Sequence, residues 1–143
     1  GGDRYRRGVY TWIQRVIPYA QFSTFDLPNV NRSCSRRDRS NTPLQALTLL
    51  NDPVFVEAAD ALAKRILRER PGASLQDRLR HGFRICLGRE ASASEVERLS
   101  QFWNERKAAL ESIPVSDDGP PEWKSWQSTA VVLLNLDEFI TKE

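Results

Sequence analysis

The sequence predicts an all-α fold, a single compact bundle of five to seven helices over residues 1–143, with one long N-terminal loop tucked onto the core. Apolar residues recur at helical spacing along most of the chain, and no stretch keeps the alternating pattern of a β-strand. Capping residues, prolines and glycines divide the sequence into segments of about 8–20 residues, the usual length of globular helices. A chain of this length can bury a single core.

The N-terminal third begins with a predicted helix and continues with a long connection. Residues 4–17 carry apolar side chains at helical spacing, and Pro18 ends this helix. Connections as long as residues 18–41 are uncommon inside compact domains and are usually functional or held in place. We therefore expect an ordered loop that is held onto the core by Phe22, Phe25 and Leu27.

Two helix starts are predicted within residues 41–53. Thr42 precedes Pro43 and has Gln45 three residues after it, which is the pattern of a capping box with proline at the first helical position. Asp52, which is also followed by proline, is the second predicted cap. The helix between the two caps is short and marginal in water, so we expect it to be buried through Leu44, Leu47, Leu49 and Leu50.

Four further helices are predicted in the rest of the chain. Ser74 and Ser92 are the expected caps of the second and third of them, and Gly88 is an expected left-handed helix stop. Residues 114–121, rich in proline and aspartate, are predicted to be a mobile linker, and residues 137–140 a closing turn. The predicted helix ranges are 53–70, 75–87, 93–113 and 122–136.

Charge and composition exclude several classes of protein. The net charge is +2, with arginine in excess over residues 1–42 and acidic residues in slight excess after them. No apolar run approaches the roughly 18 residues of a membrane span. The short basic run around Asp38 is a poor pattern for nucleic-acid binding, because an acidic residue interrupts it and no lysine accompanies it. The chain opens without an initiator methionine or a signal peptide, so we expect a piece of a longer protein.

The polar residues around the long loop are the candidate ligand-binding site. If the loop folds over the start of the short helix, arginine forks and amides converge there on a helix N-terminus, which suits an anion or a glycan. The alternative is structural: an aspartate–arginine clamp holds the loop, and the remaining residues cap helices. We prefer the structural interpretation, because each residue already has a capping or tethering role. The residues concerned are Asp26, Arg37, Arg39, Asn41, Gln45, Asn51 and Asp52.

The sequence offers no cofactor site, no metal site and no catalytic group. Covalent c-type haem needs a Cys-x-x-Cys-His motif, but Cys34 and Cys86 are far apart and His81 is the only histidine. A zinc site needs about four ligands, and no His/Cys cluster supplies them. Arginines beside Cys34 favour a reactive thiol, whereas the alternatives are a buried side chain or a disulfide bond with Cys86.

Several short motifs together resemble one family, the planctomycete surface domain of unknown function. The resemblance covers nearly the whole chain, and the Asn-Thr-Pro-Leu-Gln-Ala-Leu run of residues 41–47 is its most specific part. The other motifs are Arg6-Arg7-Gly8-Val9-Tyr10, Phe25-Asp26-x-Pro28, Cys34-x-x-Arg37-x-Arg39-Ser40, Leu50-Asn51-Asp52-Pro53, Gly88-Arg89-Glu90 and Leu134-Asn135-Leu136-Asp137-Glu138-Phe139.

This resemblance implies a context and no mechanism. Members of the family are large exported bacterial proteins that carry this domain at the C-terminal end, after an uncharacterised domain and often a cytochrome c domain. The chain would be the C-terminal part of the family domain in a periplasmic or cell-surface protein, with covalent haem c elsewhere in the full-length polypeptide.

Two functions follow as expectations. The first is a non-catalytic helical support or docking module, whose partners are the preceding domains of the same polypeptide and cell-surface proteins or glycans. The second is one wall of an anion-binding, glycan-binding or catalytic site that the preceding domains complete.

Overall fold

The computed structural model describes residues 8–14, 16–29, 31–36, 40–113 and 119–141. These residues contain seven α-helices and one 3₁₀ helix, and no β-strand, which confirms the predicted all-α fold. The chain forms two compact units, Gly1–Thr48 and Leu49–Glu143. Within the described ranges, every helix is too short or too polar to cross a lipid bilayer.

The helices follow one another along the chain with short connections. The N-terminal unit contains a 3₁₀ helix, Gly8–Tyr10, and helix α1, Ala20–Thr24. Helix α2 runs from Pro43 to Asn51 and therefore includes the last residues of the first unit and the first residues of the second. The remaining helices are α3 (Pro53–Glu69), α4 (Leu75–Leu87), α5 (Ala93–Glu111), α6 (Pro121–Leu134) and α7 (Asp137–Ile140).

The predicted first helix over residues 4–17 is wrong where the structure describes this segment. Only Gly8–Tyr10 is helical, as a single 3₁₀ turn, and residues 11–14 are irregular; residues 4–7 and Arg15 lie outside the described residues. Several of the apolar residues are β-branched and lose side-chain freedom in a helix. Trp12 is 79% exposed, so no packing offsets that loss, and a short amphipathic helix without a packing partner is marginal.

The predicted burial of α2 through its four leucines is confirmed for Leu49 and wrong for the other three. Leu47 is 57% exposed, and Leu44 and Leu50 are exposed as well. The buried residues of this helix are Gln45 and Leu49, which lie four residues apart and so share one face. The exposed leucines follow a different side of the helix at three-residue spacing. A polar residue on the buried face was not anticipated from the apolar pattern.

The predicted helix caps are confirmed. The Asp52 carboxylate accepts a hydrogen bond from the backbone N–H of Val54 at 2.9 Å at the start of α3. Ser74 caps α4 through the backbone N–H of Asp77, and Ser92 forms a capping box at the start of α5. Gly88 ends α4 with φ at 71°, in the left-handed region that suits glycine. Capping chemistry acts within a few residues, which is why the sequence predicts it well.

The predicted linker over residues 114–121 is shorter at its C-terminal end, because Pro121 is the first residue of α6. A proline at that position removes no hydrogen bond and supplies the helical φ angle. Residues 114–118 lie outside the described residues, so the predicted mobility of this segment stays a prediction.

Helix α6 is central to the second unit, where it packs against α3, α4, α5 and α7. Its two buried hydroxyl residues bond back to the helix: Ser125 Oγ donates to the carbonyl of Pro121 at 2.7 Å and Thr129 Oγ1 to that of Ser125 at 2.8 Å. No polar hydroxyl is therefore left unsatisfied on these residues. The core around α6 consists of Ala59, Leu62, Ala63, Ile66, Leu79, Phe83, Leu99, Trp103, Trp126, Ala130 and Leu133.

Arg89 joins the loop after α4 to two other helices of this unit. Its guanidinium binds both carboxylate oxygens of Glu95 in α5, at 2.7 and 3.0 Å, and it donates to Glu138 in α7 at 2.6 and 2.8 Å. It also lies 5.5 Å from the centroid of the Phe83 ring. Bonds from Arg89, and then from Ser92, lower the pKa of Glu95 to about 2. Two motifs distant in sequence, around residues 88–90 and 134–139, thus meet in one ion-pair network.

We predict that Leu133→Ala lowers the free energy of unfolding by about 2–5 kcal/mol, because the side chain is fully buried and its removal leaves a cavity. Leu50→Ala in α2 is the matched control and should cost about 0.5 kcal/mol or less, since Leu50 is exposed. Chemical denaturation followed by tryptophan fluorescence measures both. Equal costs would contradict the assignment of the core.

We also predict that the chain loses stability on acidification through Glu95. The pKa of Glu95 in the folded protein is about 2, below the ordinary value of 4.5. Its contribution to the free energy of unfolding is therefore complete above pH 4.5 and is lost as the pH falls toward 2. Glu95→Gln should flatten the dependence of the unfolding free energy on pH in this window. Glu97→Gln, an exposed residue of the same helix, should leave it unchanged. If the unfolding free energies of Glu95→Gln and the wild type depend on pH in the same way, this prediction is contradicted.

Candidate functional site

Two of the predicted site residues, Asp26 and Gln45, meet in the N-terminal unit through Ser40. The Asp26 carboxylate accepts the backbone N–H of Ser40 at 2.8 Å and the Ser40 hydroxyl at 2.8 Å. These bonds connect the segment after α1 with the segment before α2, which are fourteen residues apart in sequence. We call these three residues the tether cluster.

Gln45 has two roles at once, one in a helix cap and one in the tether cluster. Its backbone N–H donates to Thr42 Oγ1 at 3.3 Å, and its side-chain oxygen accepts the Thr42 N–H at 2.9 Å, which confirms the predicted capping box. Its amide nitrogen donates to the Thr24 carbonyl at 2.9 Å and to Ser40 Oγ at 3.0 Å. Only 1% of the residue is exposed, so both ends of its amide are satisfied away from water.

Asp26 has an unusual backbone conformation that directs the chain out of α1. Its φ angle is 56°, in the left-handed region that aspartate tolerates better than most residues. The next residue, Leu27, donates its N–H to the carbonyl of Phe22 at 2.9 Å, which closes the end of α1. Hydrogen bonds from the Ser40 side chain, the Ser40 backbone and Gln45 lower the pKa of Asp26. The carboxylate is therefore ionised at neutral pH, and these donors occupy its oxygens.

The other predicted site residues are Arg37, Arg39, Asn41, Asn51 and Asp52. Arg37 and Arg39 lie outside the described residues, so the predicted arginine half of the clamp stays a prediction. Asn41 is exposed, between Ser40 and Thr42. Asn51 and Asp52 belong to the second unit: the first ends α2, and the second caps α3.

Ser40 is the functional residue that sequence reasoning missed. It supplies three of the hydrogen bonds to Asp26, counting each hydroxyl–oxygen pair separately. The available indication was its place directly before the Asn-Thr-Pro-Leu-Gln-Ala-Leu run, but serine next to a helix start suggests a cap and not a long-range partner.

A cleft of about 460 Å³ lies beside the tether cluster in the N-terminal unit. Ser23 of α1 and the loop after this helix form its walls, and Asp26 belongs to both the cleft and the cluster. Its chemically most informative lining residues are Asp26, Asn29, Arg32, Ser33, Ser35 and Arg36. Cleft volumes of about 300–1,000 Å³ are typical of small-molecule sites.

Both cysteines are free thiols, so the predicted disulfide alternative is wrong. Cys34 is exposed and lines the cleft, which also excludes the buried alternative, and its thiol donates to the Arg36 carbonyl at 2.9 Å. Cys86 is half-buried in α4, and burial raises the pKa of its thiol to about 11. The expected reactivity of Cys34 stays a prediction.

No group of three His, Cys, Asp or Glu side chains that could hold a metal ion occurs in the part of the chain that the structure describes. His81 Nε2 lies 2.8 Å from Glu69 Oε2 and so joins α4 to α3.

The chain matches the model of a known family. The family model of PSD1, a protein of unknown function (DUF1553), matches residues 1–103. The chain belongs to this family. No curated protein and no solved structure matches the chain. The part that matches the PSD1 model includes the whole tether cluster, the cleft and α2 to α4, together with most of α5.

We predict that Gln45→Ala lowers the free energy of unfolding by about 1–3 kcal/mol, because it leaves the buried donors and acceptors of the tether cluster without a partner. Gln101→Ala is the matched control, since Gln101 is exposed and its side chain bonds to Glu105 one helical turn away. It should cost about 0.5 kcal/mol or less. Guanidinium denaturation followed by circular dichroism measures the difference, and equal costs for the two variants would contradict the tether.

Proposed function

We propose that this member of the PSD1 family is a non-catalytic helical module that supports or docks the preceding domains of a large, exported, cytochrome-c-associated bacterial protein. The observation that supports docking is the exposure of one apolar stretch in the N-terminal unit. We call residues 9–19 the apolar segment. Its exposed large apolar side chains are Val9, Tyr10, Trp12, Ile13, Val16, Ile17 and Tyr19.

Such exposure is unusual unless a partner covers it. Single exposed apolar residues are common on protein surfaces, but seven large ones within eleven residues of sequence, including a tryptophan 79% exposed, are typical of an interaction surface. Aromatic residues are also enriched at the centres of protein interfaces. Leu44 and Leu47 add two further exposed apolar side chains within the same unit.

The preceding part of the same polypeptide is the proposed occupant. The resemblance to planctomycete surface proteins implies further domains before this one, and the apolar segment begins directly after Gly8, the first described residue. Of all surfaces described, it is therefore the nearest in sequence to those domains. A linked partner also needs little intrinsic affinity, because its effective concentration is high.

The tether cluster favours a supporting role over catalysis. The Asp26 carboxylate and the Gln45 amide are both engaged in hydrogen bonds that hold the loop and start α2. A general acid or base must reach a substrate proton, and groups committed in this way are poorly placed to do so.

The proposal also includes a cellular context for the chain. The protein is of planctomycete type and acts in the periplasm or at the cell surface, where cell-surface proteins or glycans are further partners. The module itself holds no cofactor, and covalent haem c belongs to another part of the full-length polypeptide. Nucleic acid is not a partner, since the basic run is short and contains an acidic residue.

The docking function is tested with the preceding domains expressed separately and titrated against this chain. The double variant Trp12→Ser, Val16→Ser should weaken the association about tenfold or more, because it removes two exposed apolar contacts. The matched control is Val56→Ser, an exposed apolar residue of the second unit. The affinity of the Val56→Ser variant for the preceding domains should equal that of the wild type.

Two results would contradict this function. One is an affinity that the double variant leaves unchanged. The other is self-association of this chain, measured by analytical ultracentrifugation. This self-association would have to be abolished by the double variant and unaffected by the preceding domains. In that case the apolar segment binds a second copy.

A further inference from the structure

We infer that the cleft in the N-terminal unit binds a sugar-sized oxyanion, that is, a sugar bearing a phosphate, sulfate or carboxylate group. This binding site goes beyond the docking function and does not depend on it. The inference rests on three observations: the construction of the cleft, the two arginines that line it and the hydroxyl and amide groups beside them.

Local hydrogen bonds shape the cleft within the loop after α1. The Asn29 side chain accepts the N–H of Asn31 at 2.9 Å, and the Asn29 carbonyl accepts the N–H of Arg32 at 3.2 Å. Farther along, the thiol of Cys34 bonds to the carbonyl of Arg36. These turns belong to the loop itself, and the tether cluster fixes one end of it at Asp26. The cleft is thus a formed feature of the unit.

The charge that the cleft offers to a ligand is positive. Arg32 and Arg36 both line it, and neither guanidinium has an ion pair or hydrogen bond with any residue that the structure describes. The one carboxylate in the lining, that of Asp26, already accepts hydrogen bonds from Ser40 and Gln45. Guanidinium groups bind carboxylate, sulfate and phosphate through paired charge-assisted hydrogen bonds. An anion is therefore the ligand that this lining selects.

The size and the neutral lining indicate more than a bare ion. A cleft of about 460 Å³ is far larger than one sulfate or phosphate ion and falls in the range of small organic ligands. Ser23, Ser33 and Ser35 supply hydroxyl groups, and Leu27 and Pro28 supply apolar surface. Hydroxyl partners and a small apolar face suit a sugar ring, and the two arginines would bind its charged substituent.

The exposed thiol of Cys34 gives a direct measurement, because a ligand in the cleft shields it from alkylation. Cys86 is an internal reference in the same chain, since it is half-buried and lies in the second unit. The rate of alkylation of Cys34 by iodoacetamide is measured by mass spectrometry against increasing glucose 6-phosphate, glucose 6-sulfate and glucuronate. Glucose is the uncharged control, and potassium chloride at equal ionic strength is the control for screening.

We expect saturable protection of Cys34 by at least one of the charged sugars, with no change at Cys86 and none from glucose or potassium chloride. The charged sugar that protects at the lowest concentration identifies the substituent. Arg32→Gln and Arg36→Gln should each raise the half-protecting concentration about tenfold or more. Arg98→Gln, an exposed arginine of α5, is the matched control and should leave it unchanged.

Three results would overturn the inference. The first is the absence of protection by all three charged sugars in the wild-type chain, a result that no folding defect of a variant can explain. The second is equal protection by potassium chloride, which would indicate screening alone. The third is protection that survives both arginine substitutions while circular dichroism shows that the variants are folded.

Discussion

The hydrogen-bond cluster of Asp26, Ser40 and Gln45 is the interaction on which the N-terminal unit depends. Among the residues of that unit that the structure describes, no apolar side chain is buried, and many large apolar side chains are exposed. Its long connection is therefore held by polar groups, which are strong only when every donor and acceptor has a partner. Gln45 meets this condition, because its amide serves a helix cap and a carbonyl twenty-one residues away at the same time.

The two units are stabilised in different ways, and this difference bears on function. The second unit buries two tryptophans around α6 and adds the Arg89 network at its edge. The N-terminal unit instead presents the apolar segment and a cleft with two arginines. Surfaces that bind partners or ligands cannot also be buried in a core. The docking and ligand-binding proposals therefore both concern the first unit.

The sequence predicted the features that depend on nearby residues and missed those that depend on distant ones. Helix caps such as Asp52 and Ser92, and the helix stop at Gly88, act within a few residues, and all were predicted. Whether a leucine is buried depends on what packs against it, so Leu47 was predicted inside and is exposed. Of the site, Asp26 and Gln45 were found from their types, whereas Ser40 was missed because no local pattern marks a partner fourteen residues away.

Hydrogen exchange at the backbone amide of Ser40 tests the central claim most directly, because this N–H donates to Asp26. Asp26→Gly removes the carboxylate but keeps the left-handed backbone, which glycine adopts without strain. We predict that the Ser40 amide then exchanges much faster, while the amide of Val54, which Asp52 caps in the second unit, is unchanged. Unchanged exchange at Ser40 in this variant would contradict the claim that the cluster holds the loop.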